Sequence, residues 1–202
     1  MRLMVRLLVE SVPPVYLCCD TLLTAADIAS AARFQNEMRR NEHLAWRRIL
    51  RRELGRDIRI EYNAVGAPYI ENSTKEISIS HSRGVVAVAI ADERVGVDIE
   101  SRERVFERAA ERYATAEERA LAEEDPFWLA KLWTAKEAMY KYYGRREVEL
   151  RDELHITAYD SRRGVMRGEL RGAEAVEIGI SLHREEYIVA IATAAKQATI
   201  DV

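Results

Sequence analysis

The same strand-turn-strand pattern occurs in both halves of this 202-residue chain. Residues 77–91 read ISISHSRGVVAVAIA and residues 178–192 read IGISLHREEYIVAIA, with eight of the fifteen positions identical. Each stretch joins two apolar, β-branched runs through a short polar connection, which predicts a β-hairpin. The repeat therefore predicts two similar halves. Two unrelated hairpins that merely share β-rich text remain the alternative.

The rest of the chain alternates helical and strand patterns, which predicts an α/β (α+β) fold. Residues 24–54 place apolar side chains at helical spacing and predict one or two helices that stop at Gly55. The sequence GVDIE, residues 96–100, predicts a third strand following the first hairpin. We place the boundary near the middle of the chain, with residues 1–102 as the N-terminal half and residues 103–202 as the C-terminal half of one compact unit.

The second half opens with helical patterns and closes with strands. Thr115 heads a candidate capping box, and Pro126 opens a helix that ends at Gly144. Four strand patterns follow, in LHITAY, GVMRGEL, AVEIGIS and EYIVAIA.

Composition limits the class of partner. The formal net charge is −3, so no overall positive field predicts nucleic-acid binding. No apolar run reaches the roughly 18 residues of a membrane span, and we interpret residues 1–10 as a strand rather than a signal peptide. Cys18 and Cys19 are adjacent, which does not ordinarily allow a disulfide, so we expect a reducing, cytoplasmic location.

Three acidic side chains and a lysine form the strongest candidate site. In a strand, Asp98 and Glu100 point to one face because side chains alternate with period two. In a helix, Trp133, Glu137 and Lys141 lie along one stripe because they are four residues apart. If strand and helix meet, the three carboxylates and the ammonium group suit Mg²⁺ and a phosphate that accompanies it.

Each part of this site also has an ordinary explanation. Asp98 and Glu100 could be solvated acids at a strand end, and Glu137 with Lys141 could be a surface ion pair at i, i+4. Lys136 points away from the stripe, and its simplest interpretation is a solvated side chain.

A second candidate site is a turn that could hold a phosphate. His81 lies between Ser80 and Ser82 at the end of the first hairpin strand, where hydroxyls and backbone donors are available. The helical region before it is rich in arginine and could add positive charge, although a solvated helix face explains it equally well. Its arginines are Arg39, Arg40, Arg47, Arg48, Arg51 and Arg52.

The order of the motifs resembles the 4'-phosphopantetheinyl transferase family, of the two-half type represented by the surfactin-synthetase activating enzyme. The matching text is GAPYI, SISHS, GVDIE and WTAKEAMYK followed by Gly144, covering residues from about 40 to 144. The resemblance implies two α/β halves related by pseudo-twofold symmetry. It also implies a monomer, since one chain supplies both halves.

The resemblance implies a role for each candidate residue. Asp98, Glu100 and Glu137 would hold Mg²⁺ against the pyrophosphate of coenzyme A, and Lys141 would contact the phosphates and support the departing 3',5'-ADP. Glu137 would also take the proton from the acceptor serine. In the cofactor-binding part, Arg47, Ser80 and His81 would bind the coenzyme, with the 3'-phosphate on His81 and Arg47.

The function implied is Mg²⁺-dependent transfer of 4'-phosphopantetheine from coenzyme A to a serine of an apo acyl or peptidyl carrier protein, as in a holo-[acyl-carrier-protein] synthase. Such enzymes serve fatty acid, polyketide or nonribosomal peptide biosynthesis. Two departures from the family pattern stand out. Ala67 replaces a lysine expected before Pro-Tyr, and Arg145-Arg146 replace a Gly-Leu run. A non-catalytic module that binds coenzyme A or a carrier is the alternative.

Overall fold

The computed structural model describes residues 4–12, 20–122 and 124–195. It divides into two compact units, Met1–Glu93 and Arg94–Val202. Both mix helices with antiparallel sheets, so the predicted α/β (α+β) class is confirmed. Cys18 and Cys19 lie outside the described residues. No helix in the described ranges is long and apolar enough to span a membrane.

The first unit is built on a three-stranded antiparallel sheet with the strand order β1-β5-β4. Helix α2 packs on its central strand, β5, in which every residue is buried. The predicted helical region forms two helices, α1 and α2, and α2 ends at Gly55 as expected. The described elements are β1 (Val5–Ser11), α1 (Ala25–Ala31), α2 (Glu37–Leu54), β2 (Ile60–Tyr62), β3 (Pro68–Ile70), β4 (Glu76–Ser82) and β5 (Val85–Ala91).

The second unit is built on a five-stranded antiparallel sheet with the strand order β6-β10-β9-β8-β7. Helix α4 packs mainly on β6 and β10. Thr115 caps α3 in the predicted capping box, and Gly144 ends α4 in the left-handed conformation with φ 58°. After β6 (Gly96–Ser101) come a 3-10 helix (Glu107–Arg112), α3 (Ala116–Ala120), α4 (Trp128–Tyr143), β7 (Leu154–Asp160), β8 (Val165–Leu170), β9 (Val176–His183) and β10 (Tyr187–Ala194).

Strand β6 belongs to the second unit, so the division lies before it and not after residue 102. Its partner is β10, with Asp98 opposite Ala190 and Glu100 opposite Ile188. In the sequence, β6 directly follows the first hairpin, which suggested that it belongs to the first half. Its hydrogen-bonded partner is β10, however, so it is part of the second sheet. The pseudo-twofold relation of the halves stays a prediction.

Both predicted hairpins are present. In the first, β4 and β5 pair with Ser82 opposite Val85, and in the second, β9 and β10 pair with His183 opposite Tyr187. The aligned residues Arg83 and Arg184 both begin the turn with positive φ, at 47° and 52°. This shared conformation, which is unusual for a residue with a side chain, adds a structural likeness to the sequence repeat.

Lys136 is buried and not solvated, which corrects the sequence-based interpretation. Its ammonium group pairs with Glu118 at 2.7 Å and donates to the carbonyls of Tyr113 and Leu150 at 2.6 and 2.8 Å. Glu118 also accepts from the backbone N–H of Ile156 at 2.8 Å. Lys136 points away from the stripe of Trp133, Glu137 and Lys141 and into the core. There, these hydrogen bonds offset the cost of burying its charge.

Candidate active site

One face of β6 lies against α4 and carries the two predicted acids. Gly96, Asp98 and Glu100 share this face because alternate residues of a strand point the same way. A Cβ atom at Gly96 would lie 2.0 Å from the carbonyl oxygen of Ala138 and 2.7 Å from the nitrogen of Tyr142. The absence of a side chain at Gly96 therefore allows the helix backbone to approach the strand that bears the acids.

Lys141 and Asp98 form the direct link between helix and strand. The ammonium group of Lys141 lies 2.7 Å from Asp98 Oδ1 and donates to the carbonyl of Val97 at 3.0 Å. Asp98 is only 5% exposed, so water screens this pair little. The predicted meeting of strand and helix is thus present, and a cation already neutralises one of the predicted carboxylates.

Glu100 is held by a tryptophan and an arginine. Trp133 Nε1 donates to Glu100 Oε1 at 3.1 Å, and Arg104 forms an ion pair with the same oxygen. Trp133 comes from the predicted stripe on α4, whereas Arg104 follows β6 on a bend. The second acid of the strand therefore also faces the stripe that carries Glu137 and Lys141.

Glu137 lies on α4 between Trp133 and Lys141, one turn from each, and is partly buried. Burial raises its pKa above the usual range, and the negative charge of Asp98 raises it further, while Lys141 acts in the opposite direction. The charge of Glu100 also raises this pKa. A carboxyl group with a raised pKa is a better proton acceptor near neutral pH than an ordinary one.

The residue types at this site suit a hard divalent cation, although the present arrangement of the described residues does not form a metal site. Three carboxylates supply only oxygen ligands, which Mg²⁺ prefers, and the ammonium group of Lys141 on Asp98 shows that the site accepts positive charge. Among the residues that the structure describes, no three His, Cys, Asp or Glu side chains are gathered closely enough to hold a metal. Glu100 and Asp98 instead bind the protein's own cations, Arg104 and Lys141.

In the first unit, His81 lies in a small cluster of charges. It contacts Glu42 through Nδ1 at 2.9 Å and also contacts the guanidinium group of Arg39. Burial tends to raise the pKa of Glu42, but hydrogen bonds from His81 and the backbone N–H of Gly84 outweigh it and lower that pKa. His81 and Arg39 are both accessible to solvent. A surface with two nitrogen-rich side chains can accept an anion.

Arg47 is placed differently from His81. It is only 4% exposed, and its guanidinium group donates to Asp27 at 3.0 Å, His43 at 2.9 Å and Tyr62 at 3.0 Å. Its donors are thus engaged inside the unit. Ser80 is buried in β4 and, as the strand neighbour of His81, points to the opposite face of the sheet. Phosphate binding by Arg47 and Ser80 stays a prediction.

The arginine-rich helical region is largely neutralised within its own unit. Arg47 and Arg51 share the buried carboxylate of Asp27, so these two arginines do not belong to a solvated helix face. Arg48 pairs with Asp20, and Arg52 pairs with Glu10 and Glu53. The side chain of Arg40 donates to the carbonyls of Phe34 and Gln35.

Sequence reasoning missed Gly96 and Arg104, and it did not single out Arg39. Gly96 lies two residues before Asp98, and a glycine inside a strand pattern signals a close backbone approach. Arg104 lies four residues after Glu100, a spacing that means little outside a helix. Arg39 was one of six arginines, and only the folded chain distinguishes it from the others.

A comparison with protein families matches residues 94–192 to the family model described as 4'-phosphopantetheinyl transferase superfamily. The matched segment begins two residues before Gly96 and includes β6, α4 and all three predicted metal ligands. No curated protein gives a significant match to the chain.

Proposed function

Since residues 94–192 form a domain of the 4'-phosphopantetheinyl transferase superfamily, we propose that the protein transfers 4'-phosphopantetheine from coenzyme A to a serine of an apo carrier protein. One observation carries the proposal. Within the matched segment, Asp98 and Glu100 of β6 face a stripe of α4 on which Glu137 and Lys141 lie, and Lys141 contacts Asp98 at 2.7 Å. Carboxylates that can hold a metal ion, together with a nearby lysine, are groups that stabilise the charge developed in phosphoryl transfer.

Asp98, Glu100 and Glu137 are the residues that would hold Mg²⁺. Bound there, the ion would neutralise the pyrophosphate of coenzyme A and stabilise negative charge that develops during transfer. The proposal needs Glu100 to exchange its contact with Arg104, and Asp98 its contact with Lys141, for the metal. Both cations lie on partly exposed side chains, so they have room to move.

Glu137 is the proposed base. The serine oxygen attacks the phosphorus atom next to pantetheine, its proton passes to the Glu137 carboxylate directly or through water, and the bond from that phosphorus to the 3',5'-ADP oxygen breaks. Burial and the charge of Asp98 raise the pKa of Glu137 in the metal-free protein, and a carboxylate in this position can serve as the proton acceptor. The Lys141 ammonium group then offsets charge on the leaving oxygen.

In the first unit, we infer that His81 binds a phosphate of the coenzyme and that Arg39 contributes more to this than Arg47 does. Arg39 contacts His81 and its side chain is half exposed, whereas Arg47 is enclosed by Asp27, His43 and Tyr62. Arg39 has only a loose contact, at 3.8 Å, with the buried carboxylate of Glu42, so a phosphate could reach its half-exposed side chain more readily than the enclosed guanidinium group of Arg47. The backbone of Ser80, beside His81, is a further candidate donor.

A non-catalytic binding module is the second candidate, and Ala67 favours it. This residue is exposed in the connection between β2 and β3, where its N–H donates to Asn63 Oδ1 at 2.9 Å. A lysine there, as the family pattern has it, would supply a phosphate contact that alanine cannot. A module of this kind would bind coenzyme A but leave an apo carrier unmodified.

The test is to incubate the protein with coenzyme A, Mg²⁺ and several apo carriers, then measure the intact mass of each carrier. We expect at least one carrier to gain one phosphopantetheine group, and the gain to stop when a chelator removes the metal. No gain with any acyl or peptidyl carrier, while coenzyme A still binds, would favour the non-catalytic module. A cytoplasmic location and a monomeric state are parts of the same proposal.

A further inference from the structure

Arg104 is held on Glu100 by more than a single ion pair. Its guanidinium group lies 4.8 Å from the centre of the Trp133 ring and 5.3 Å from that of Phe106. Trp133 in turn donates to the same Glu100 oxygen at 3.1 Å and packs edge-on against Tyr113, with ring centres 5.1 Å apart. Cation–π contacts and the ion pair together therefore fix Arg104 in front of the carboxylate.

The position of Arg104 allows its side chain to move away from Glu100. It lies on a bend between β6 and the following 3-10 helix, outside regular structure, and its side chain is 42% exposed. The carboxylate that it covers is much less accessible, at 14%. An exposed cation on an irregular segment moves at lower cost than a buried one on a helix, so the pair can open from the side of Arg104 while Glu100 stays in place.

We propose that Arg104 is a built-in counter-ion of Glu100, which neutralises this carboxylate in the metal-free protein and competes with the divalent cation for it. The inference rests on the proposed function, because it assumes that Glu100 is a metal ligand. Arg104 is a positioning residue and does not touch the reacting atoms. When a divalent cation binds Glu100, Arg104 moves away from the Glu100 carboxylate. Its guanidinium group then stays against the aromatic rings of Trp133 and Phe106.

Competition between Arg104 and the metal predicts the direction in which metal affinity changes when Arg104 is removed. Removing the guanidinium group frees the carboxylate and also removes a positive charge that repels the metal, so both effects raise metal affinity. If Arg104 merely supported the fold around Glu100, its removal would disorder the ligand and lower metal affinity. Metal affinity therefore distinguishes a competing cation from a structural one.

The experiment is a calorimetric titration of the full chain with Mn²⁺ and with Mg²⁺, without coenzyme A. We expect Arg104→Gln to bind Mn²⁺ about three- to fivefold more tightly than the wild type, the scale of a partly exposed ion pair. Arg108→Gln removes an exposed arginine from the nearby 3-10 helix and controls for the change in net charge. Its affinity should match the wild type.

Glu100→Gln in the Arg104→Gln background should abolish the gain, because the competition needs the carboxylate. Unchanged or weaker Mn²⁺ binding by Arg104→Gln would overturn the inference, as would an equal gain in Arg108→Gln. If the wild type modifies a carrier while Arg104→Gln gains no affinity, only this inference fails. If neither protein binds Mn²⁺ and no carrier gains mass, the proposed function fails with it.

Discussion

At the scale of single residues, two lysines of α4 have opposite environments. Lys136 is fully buried and joined to Glu118, and burial lowers its pKa, whereas Lys141 is partly exposed and reaches Asp98 in the candidate site. Removing one partner of a buried ion pair leaves the other charge uncompensated. Substituting each lysine in turn should therefore affect different properties of the protein.

We expect Lys136→Met to lower the free energy of unfolding by about 3–5 kcal/mol, because Glu118 would stay buried without its cation. Lys141→Met should lower it much less but reduce phosphopantetheine transfer strongly. Urea denaturation measures the first quantity, and a carrier mass assay with folded protein measures the second. A Lys136→Met protein as stable as the wild type would contradict the buried pair.

His43 is a second residue whose environment is measurable. It is buried, and its Nε2 accepts from Arg47 at 2.9 Å, so the ring is neutral. Burial, with the charges of Arg47 and Arg33, lowers its pKa from 6.5 to about 4. Because the unfolded chain protonates this histidine more easily than the folded protein does, stability is full above the unfolded pKa and falls as the pH drops from there to the folded pKa.

Acid should therefore destabilise the protein in two steps. Between pH 6.5 and about 4 the unfolded chain binds a proton that folded His43 does not, which costs on the order of 3 kcal/mol. Between pH 3.8 and about 2 the unfolded chain also protonates Asp27, which adds a second loss. In the folded protein burial tends to raise the pKa of Asp27, but hydrogen bonds from Arg51 and Thr24 outweigh it and lower that pKa to about 2. Thermal unfolding across pH measures both, and His43→Gln should remove the first step while sparing the second.

At the scale of elements, the site depends on how closely α4 approaches β6. Only a residue without a side chain fits at Gly96, where a Cβ would lie 2.0 Å from the carbonyl of Ala138. Lys141 is next to Tyr142, the other residue that such a Cβ would meet. The approach that Gly96 permits is therefore also the one that brings Lys141 to Asp98.

We expect Gly96→Ala to destabilise the fold by at least about 1–3 kcal/mol through overpacking and to reduce transfer more than tenfold. Gly179→Ala is the matched control, since Gly179 also lies in a strand, β9, but a Cβ there meets nothing within 4 Å. That variant should keep both stability and transfer. Equal behaviour of the two variants would show that the close approach at Gly96 is unimportant.

In the molecule as a whole, local sequence patterns predicted the helices and strands. They did not predict which strands distant in sequence pair with each other. Period-two alternation was enough for the hairpins and for the common face of Asp98 and Glu100, and capping residues located the helix at Thr115. The sheet of β6 depends on β10, far along the chain. No local signal could reveal that pairing.

The sequence also did not predict which charged side chains are buried. Arg47 and Lys136 have polar side chains that are ordinarily solvated, and their acidic partners, Asp27 and Glu118, lie 20 and 18 residues earlier. Only the fold decides that these pairs are enclosed. For the candidate site, the sequence predicted the residues and their two elements, whereas the positions of Gly96 and Arg104 came from the structure.

We propose that Glu137 takes the proton from the acceptor serine during phosphopantetheine transfer. The most direct measurement is the rate at which an apo carrier gains one phosphopantetheine group, by intact mass, with wild-type protein and with folded Glu137→Gln. Loss of a positioned proton acceptor typically costs about 10²–10⁴ in rate, so we predict clear transfer by the wild type and at least a hundredfold slower transfer by the variant. Equal rates for the two proteins would rule out Glu137 as the base.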